Sequence, residues 1–288
     1  MTTTATDIAS ERRKLLARRI EILRERFEAP GSPPADPAPW PELRGVVAML
    51  FTSRAGSSAI SRHIAAEYDV GRVEESANFG KLTSVMKRSD QADLTEALKS
   101  YVGANSPGGW FAMKAGSQGL VSLELSGFAD TYQHLGHYLM LMRRDVLAQA
   151  ASLVIARKTG LFHSTQEKQR ELQDDDYNLD EAMEQVHLII NGCAMLRKYI
   201  LATGRPWRAV LYEDFAQGDT GGIDSALTQF GVPRRTRPPE SRMAALTPVG
   251  GQARADWAAR LRSDLDDDGR AMVASYEEFV DKMMAEAG

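Results

Sequence analysis

The chain has 288 residues, 43% hydrophobic and 26% charged, which is the composition of a globular protein with enough apolar material for one large α/β domain. Lys+Arg 35 against Asp+Glu 39 leaves a formal charge of -4, which excludes a strongly basic nucleic-acid binder but not a local anion site. A single cysteine, Cys193, excludes an intrachain disulfide and a Cys-based zinc cluster, and the histidines show no HExxH or other ligand spacing, so no metal is expected.

The opening residues MTTTATDIASERRK lack the apolar core of a signal peptide, and no run approaches the ~18 apolar residues of a membrane span. The expectation is a cytoplasmic enzyme. Leu16, Ile20, Leu23 and Phe27 recur at helical spacing among Arg and Glu, and GSPPADPAPWP (31–41) then stops the helix. Residues 1–41 therefore read as an N-terminal helical arm and Pro-rich linker. The arm packs on its own domain or serves as a dimer arm or partner site; both readings stay open. Residues 42–288 read as one α/β domain.

Four apolar runs follow: GVVAMLF (45–51), GWFAMKA (109–115), HYLMLMRRD (137–145) and RAVLYED (208–214). Continuous hydrophobicity predicts strands buried on both faces. Helical patterns at 58–68, 146–158 and 180–203 lie between them, which predicts a parallel sheet with ligands bound beyond the strand carboxyl ends. The tail, 253–288, reads as one or two helices broken near Asp266-Asp267-Asp268-Gly269. The acidic runs 174–176 and 266–268 read as solvated loops.

The first strand runs into TSRAGSS (52–58) and a helix, so a loop of Gly and hydroxyl residues gathers free backbone N–H groups at a helix N-terminus. There is no Gly-Lys-Ser/Thr of a Walker A loop. Backbone donors, hydroxyls and Arg54 would hold an anion without a metal. At the third strand, Arg143-Arg144-Asp145 opens a helix that carries Ser152 two turns after Arg144. Two separated anion grips suit a ligand with phosphates at two ends.

These residues resemble a known family. TSRAGSS looks like the 5′-phosphosulfate loop of sulfotransferases, and RRDVLAQAASLVIARKTGLFHS resembles the 3′-phosphate segment of bacterial carbohydrate sulfotransferases of the trehalose 2-sulfotransferase type. Arg-Arg-Asp, Gln149-Ala150, Ser152 and Thr159-Gly160 fall at family spacing. The likeness runs over roughly 44–262, through VLYEDF (210–215) to SRMAAL (241–246) and Trp257.

The resemblance implies a P-loop-like three-layer fold with a central, mainly parallel sheet flanked by helices. It further implies sulfuryl transfer from 3′-phosphoadenosine 5′-phosphosulfate (PAPS) to a hydroxyl of a carbohydrate or other hydroxylated metabolite, leaving adenosine 3′,5′-bisphosphate. Arg54, Gly56, Ser57 and Ser58 would hold the phosphosulfate, with Arg54 stabilising the leaving oxygen. Arg144 and Ser152 would hold the 3′-phosphate, with Arg242 as a further contact. The family's general base falls at Glu75, with Glu74 the fallback, although Val73, Ser76 and Ala55 depart from the family pattern. Lys114 would face the phosphosulfate or the acceptor, and His163 the acceptor. Segment 72–109 would line the acceptor pocket, while Trp110 and Phe162 read as core or pocket wall. The family and the arm point to a homodimer with no nucleic-acid partner. The alternatives are a P-loop phosphoryl transferase, which would need Mg²⁺, and an inactive nucleotide-binding homologue.

Overall fold

A computed structural model describes residues 4–27, 38–89, 93–162, 166–236 and 251–287. In chain order the first half comprises α1 (Ala5–Phe27), β1 (Gly45–Leu50), α2 (Ser57–Glu67), α3 (Phe79–Ser89), α4 (Leu94–Ala104), β2 (Trp110–Ala115), α5 (Ser117–Leu125) and α6 (Phe128–Tyr132). Then come β3 (Gly136–Met142), α7 (Val146–Thr159), α8 (Leu179–Thr203), β4 (Trp207–Leu211), α9 (Tyr212–Ala216), α10 (Gly221–Gln229), α11 (Gly251–Asp264) and α12 (Asp267–Glu286).

The four strands form one parallel sheet in the order β2-β1-β3-β4. Each predicted run supplies one of them. Successive side chains of a strand point to opposite faces, and both faces are covered. Val46, Ala48 and Leu50 join Phe111, Met140 and Met142 in the core beneath α5, α7 and α8. Val47 and Met49 join Leu139, Leu141 and Val210 against Ile60 and Ile64 of α2 and Leu227 of α10. Burial on both sides is why these strands read as continuous apolar runs. The polar ends of the runs lie beyond the strands: β3 stops at Met142, before Arg143, and β4 at Leu211. The tail breaks where Asp266 caps α12, its carboxylate accepting from Gly269 N at 2.8 Å. Among the described residues no helix is long and apolar enough to cross a membrane.

The N-terminal helix docks on the domain. α1 packs against α5 and α8 and buries Leu16 and Leu23. Arg12 is fully buried with them. Its Nε donates to Glu124 Oε1 at 2.6 Å, its other nitrogens reach Asp130 and Gln133, and Tyr199 OH donates to the same Glu124 oxygen at 3.1 Å. A buried carboxylate stripped of its cation is left uncompensated, which typically costs about 3–5 kcal/mol. Arg12→Met should therefore lower the unfolding free energy by an amount of that order, seen as a lower urea midpoint. A midpoint equal to the wild type would show that the pair contributes nothing to holding α1 in place.

Candidate active site

The carboxyl ends of β1, β2 and β3 open into a cavity of about 800 Å³. Its floor is the loop after β1. Ala55 N donates to Thr52 O at 3.2 Å to close the turn, and Arg54 takes φ 65, the only positive value of a non-glycine among the described residues. Such strain persists where surrounding contacts over-determine it. Here they are identifiable: Gln149 Nε2 on α7 donates to Thr52 Oγ1 at 2.9 Å and Ser53 O at 2.7 Å, and Arg143 donates to Arg54 O at 3.2 Å.

Gly56 follows at φ 90 as the N-cap of α2, with no side-chain cap and no acidic residue in the first turn. The N-terminal peptide dipoles are thus left to whatever enters the cavity, which Gly56, Ser57 and Ser58 all line. A Cβ on Gly56 would lie 2.1 Å from the Tyr212 ring. Gly56→Ala should combine that clash with about 1–3 kcal/mol of backbone strain, enough for a roughly tenfold loss of anion affinity. An unchanged affinity in calorimetry would mean that the loop is not the anion seat.

Cations surround this floor. Lys114, at the end of β2, is buried and donates from Nζ to Ser58 Oγ at 2.9 Å, with Glu75 Oε1 at 3.8 Å. Burial pushes the ammonium pKa down, and Glu75 works against that fall. Arg54 Nε donates to Ser152 Oγ at 3.0 Å, and its NH1 donates to the carbonyl of Phe162. Arg143 is 6% exposed, lies 5.0 Å from the Tyr212 ring centre, and its Nε has no hydrogen-bond acceptor, the nearest carboxylate being Glu213 at 3.9 Å. Burial lowers the pKa of Arg54 and of Arg143, and Arg254 from α11 lowers both further by repulsion. Guanidiniums that repel one another, one of them buried with an orphaned donor, are stabilised by an anion placed among them.

The structure brings together most of the residues singled out from the sequence, but not all. Arg54, Gly56, Ser57, Ser58, Glu75, Lys114 and Ser152 line the cavity. Arg144 does not. Its guanidinium pairs with Asp281 of α12 at 2.7 Å, and its backbone N–H donates to Glu213 at 3.2 Å. Consecutive side chains leaving a strand point opposite ways, so it is Arg143 that enters the cavity and Arg144 that turns to the tail. The expected pairing of Arg144 with Ser152 on one phosphate is corrected accordingly. Asp145 pairs with Arg262 at 3.4 Å and caps α7 by accepting from Ala148 N.

Glu74 lies in an extended stretch bridged to β2, with Lys114 N donating to its carbonyl at 3.0 Å, and its carboxylate faces Lys81 at 3.8 Å. The alternation of an extended chain leaves Glu75 facing the cavity. Of the described residues in 72–109, only Glu75 and Asn78 line it. Trp110 sits at the far end of β2 against Gly45 and His137, whereas Phe162 is in the cavity wall. His163 and Arg242 lie outside the described residues. Missed from the sequence were Arg254 on α11, Arg157 on α7 and Arg19 on α1, which also line the cavity. Nothing in the local sequence marks them as facing the cavity: Arg19 follows Arg18, Arg157 precedes Lys158, and Arg254 shares its helix with Arg260 and Arg262. Among the described residues no cluster of three or more His, Cys, Asp or Glu is placed to hold a metal ion.

Residues 124–264 match the model of the Stf0 sulphotransferase family. The chain thus carries a Stf0 sulphotransferase domain, the type of the bacterial carbohydrate sulfotransferases that the sequence resembles. The matched stretch holds Arg143, Ser152, Tyr212 and Arg254, while loop 52–58, Glu75 and Lys114 precede it on the same cavity. No curated protein matches the chain. The match supports sulfotransferase activity in general terms and sets the cationic cavity in that context.

Proposed function

We propose that the protein transfers a sulfuryl group from PAPS to a hydroxyl of a carbohydrate or other hydroxylated metabolite. The observation that carries this reading is the meeting, on one cavity, of an uncapped helix N-terminus, the buried Lys114 and Arg143, the half-buried Arg54, and Glu75, the one carboxylate lining it among the described residues. The unsatisfied Nε of Arg143 fits a phosphate-bearing donor. When bound, that donor supplies an activated sulfuryl group on a phosphate leaving oxygen.

The residues divide the work by position. Gly56, Ser57 and Ser58 present backbone N–H groups and hydroxyls to the phosphosulfate, and Lys114 adds a positive charge at Ser58. Fixed donors aimed where charge develops lower the barrier without reorganising. Arg143 and Arg254, with Arg54 and Ser152, form the second anion grip, in which Arg143 takes the part first expected of Arg144. Glu75 takes the proton of the attacking hydroxyl. Lys114 Nζ stands 3.8 Å from its carboxylate.

Calorimetry with adenosine 3′,5′-bisphosphate in EDTA tests the donor. Saturable binding is expected, with Arg143→Ala losing the preference for bisphosphate over the 5′-monophosphate and Arg144→Ala keeping it. Binding of Mg-ATP in place of the bisphosphate would favour a phosphoryl transferase. Bisphosphate binding without donor turnover on any acceptor would favour an inactive homologue.

A further inference from the structure

The α8 residues that line the cavity are Gln185, Leu188, Ile189, Gly192, Met195 and Leu196. Their spacing of three and four places them on one helical face. Gly192 marks where α8 crosses the phosphate loop: a Cβ there would lie 2.9 Å from Thr52 Cγ2. From that crossing to Gln185 the helix rises about 10 Å, and this stretch of wall is apolar. Leu153 and Phe162 face the same cavity beyond Ser152.

Two of the four large apolar side chains left exposed among the described residues line this cavity. The large hydrophobics left exposed among the described residues are Ile22, Phe162, Leu188 and Leu201. Leu188, 54% exposed, and Phe162, 39% exposed, both line the cavity. Ile22 stands three residues from Arg19, another lining residue, on the same side of α1. At the far end of the stripe Gln185 is buried, yet its Oε1 has no hydrogen-bond partner. An unpaired buried amide facing a cavity awaits a polar group of a ligand.

We propose that the acceptor is an amphipathic alcohol whose apolar body lies along α8 between Gly192 and Gln185, its hydroxyl directed to Glu75. The proposal rests on the sulfuryl-transfer reading and narrows its acceptor class. The occupant is a small molecule and not a partner protein, because the apolar wall is continuous with the carboxylate and cations that would act on its hydroxyl.

The test uses methyl, butyl and hexyl β-glucosides on the full chain saturated with adenosine 3′,5′-bisphosphate. Dissociation constants come from calorimetry on that complex, and kcat/KM from donor turnover with no bisphosphate added. Affinity should rise along the series, up to about fourfold for each methylene that reaches the wall. In Leu188→Asp, and independently in Phe162→Ser, the hexyl-to-methyl ratio should fall severalfold; both positions are exposed, so the fold is expected to survive. A flat series, or no detectable binding of the hexyl member, overturns the proposal. So does a Leu188→Asp protein whose sedimentation mass changes while its hexyl-to-methyl ratio does not, since the patch would then join copies of the chain. Failure of the bisphosphate to bind is a separate result: it overturns the donor reading, and this proposal falls with it.

Discussion

Lys114→Met is expected to lower turnover by roughly 10²–10³-fold, the usual cost of removing one fixed donor from a developing negative charge. The position is set by the sheet. Lys114 stands in register with Met49 of β1, so the end of β2 delivers its side chain beside the loop after β1. Nζ is held by Ser58 Oγ at 2.9 Å and sits 5.8 Å from the Phe51 ring centre. Keeping an ammonium in that setting opposes stability, because burial disfavours the charge. Methionine keeps the volume and drops the charge, so the urea midpoint should hold or rise while turnover collapses. Glu75, left without its partner, is half-open to water and stays solvated.

The pH dependence has a definite sign. The folded pKa of Lys114 lies below the ordinary 10.5, so its positive charge disappears earlier on alkalinisation than that of a free lysine. Bisphosphate affinity should therefore fall as pH rises through a value under 10.5, and Lys114→Arg should move that fall upward. Turnover of Lys114→Met within about threefold of the wild type would remove the lysine from the chemistry, since a real donor costs far more.

Glu75→Gln should cost roughly 10²–10⁴ in turnover, the range of a positioned general base, with bisphosphate affinity retained. The isosteric amide preserves shape but accepts no proton. Its neighbour supplies the control. Glu74 faces Lys81 outside the cavity, and Glu74→Gln is expected to stay near wild-type turnover. Addition of formate to Glu75→Ala should restore part of the rate if a missing base is the defect. Full activity of Glu75→Gln would end the assignment.

The frame of this architecture was legible in the sequence for a physical reason. Strands buried on both faces must be apolar at every position, so GVVAMLF, GWFAMKA, HYLMLM and RAVL announce themselves without help from periodicity. The loop TSRAGSS was legible too, because a tight turn onto a helix needs the Gly at φ 90 and small residues around it. Lys114 and Glu75 were recognised only through the family's pattern, and both face the cavity. Less was readable where chemistry depends on facing. Arg143 and Arg144 are identical letters one position apart, and one lies in the cavity while the other pairs with Asp281.

The chain by itself thus determined a parallel α/β sheet, a loop of glycine and hydroxyl residues after the first strand and a likeness to sulfotransferases. Each of these depends on residues close together in the sequence. Tertiary structure alone decided that Arg254, about a hundred residues beyond Ser152, closes on Arg54 and Arg143, because that requires α11 to pack on α7. It also decided that α1 is pinned by Arg12 with Arg19 turned to the cavity, and that α8 presents its apolar face there. Burial and facing are properties of neighbours brought together by folding, and a one-dimensional pattern does not contain them.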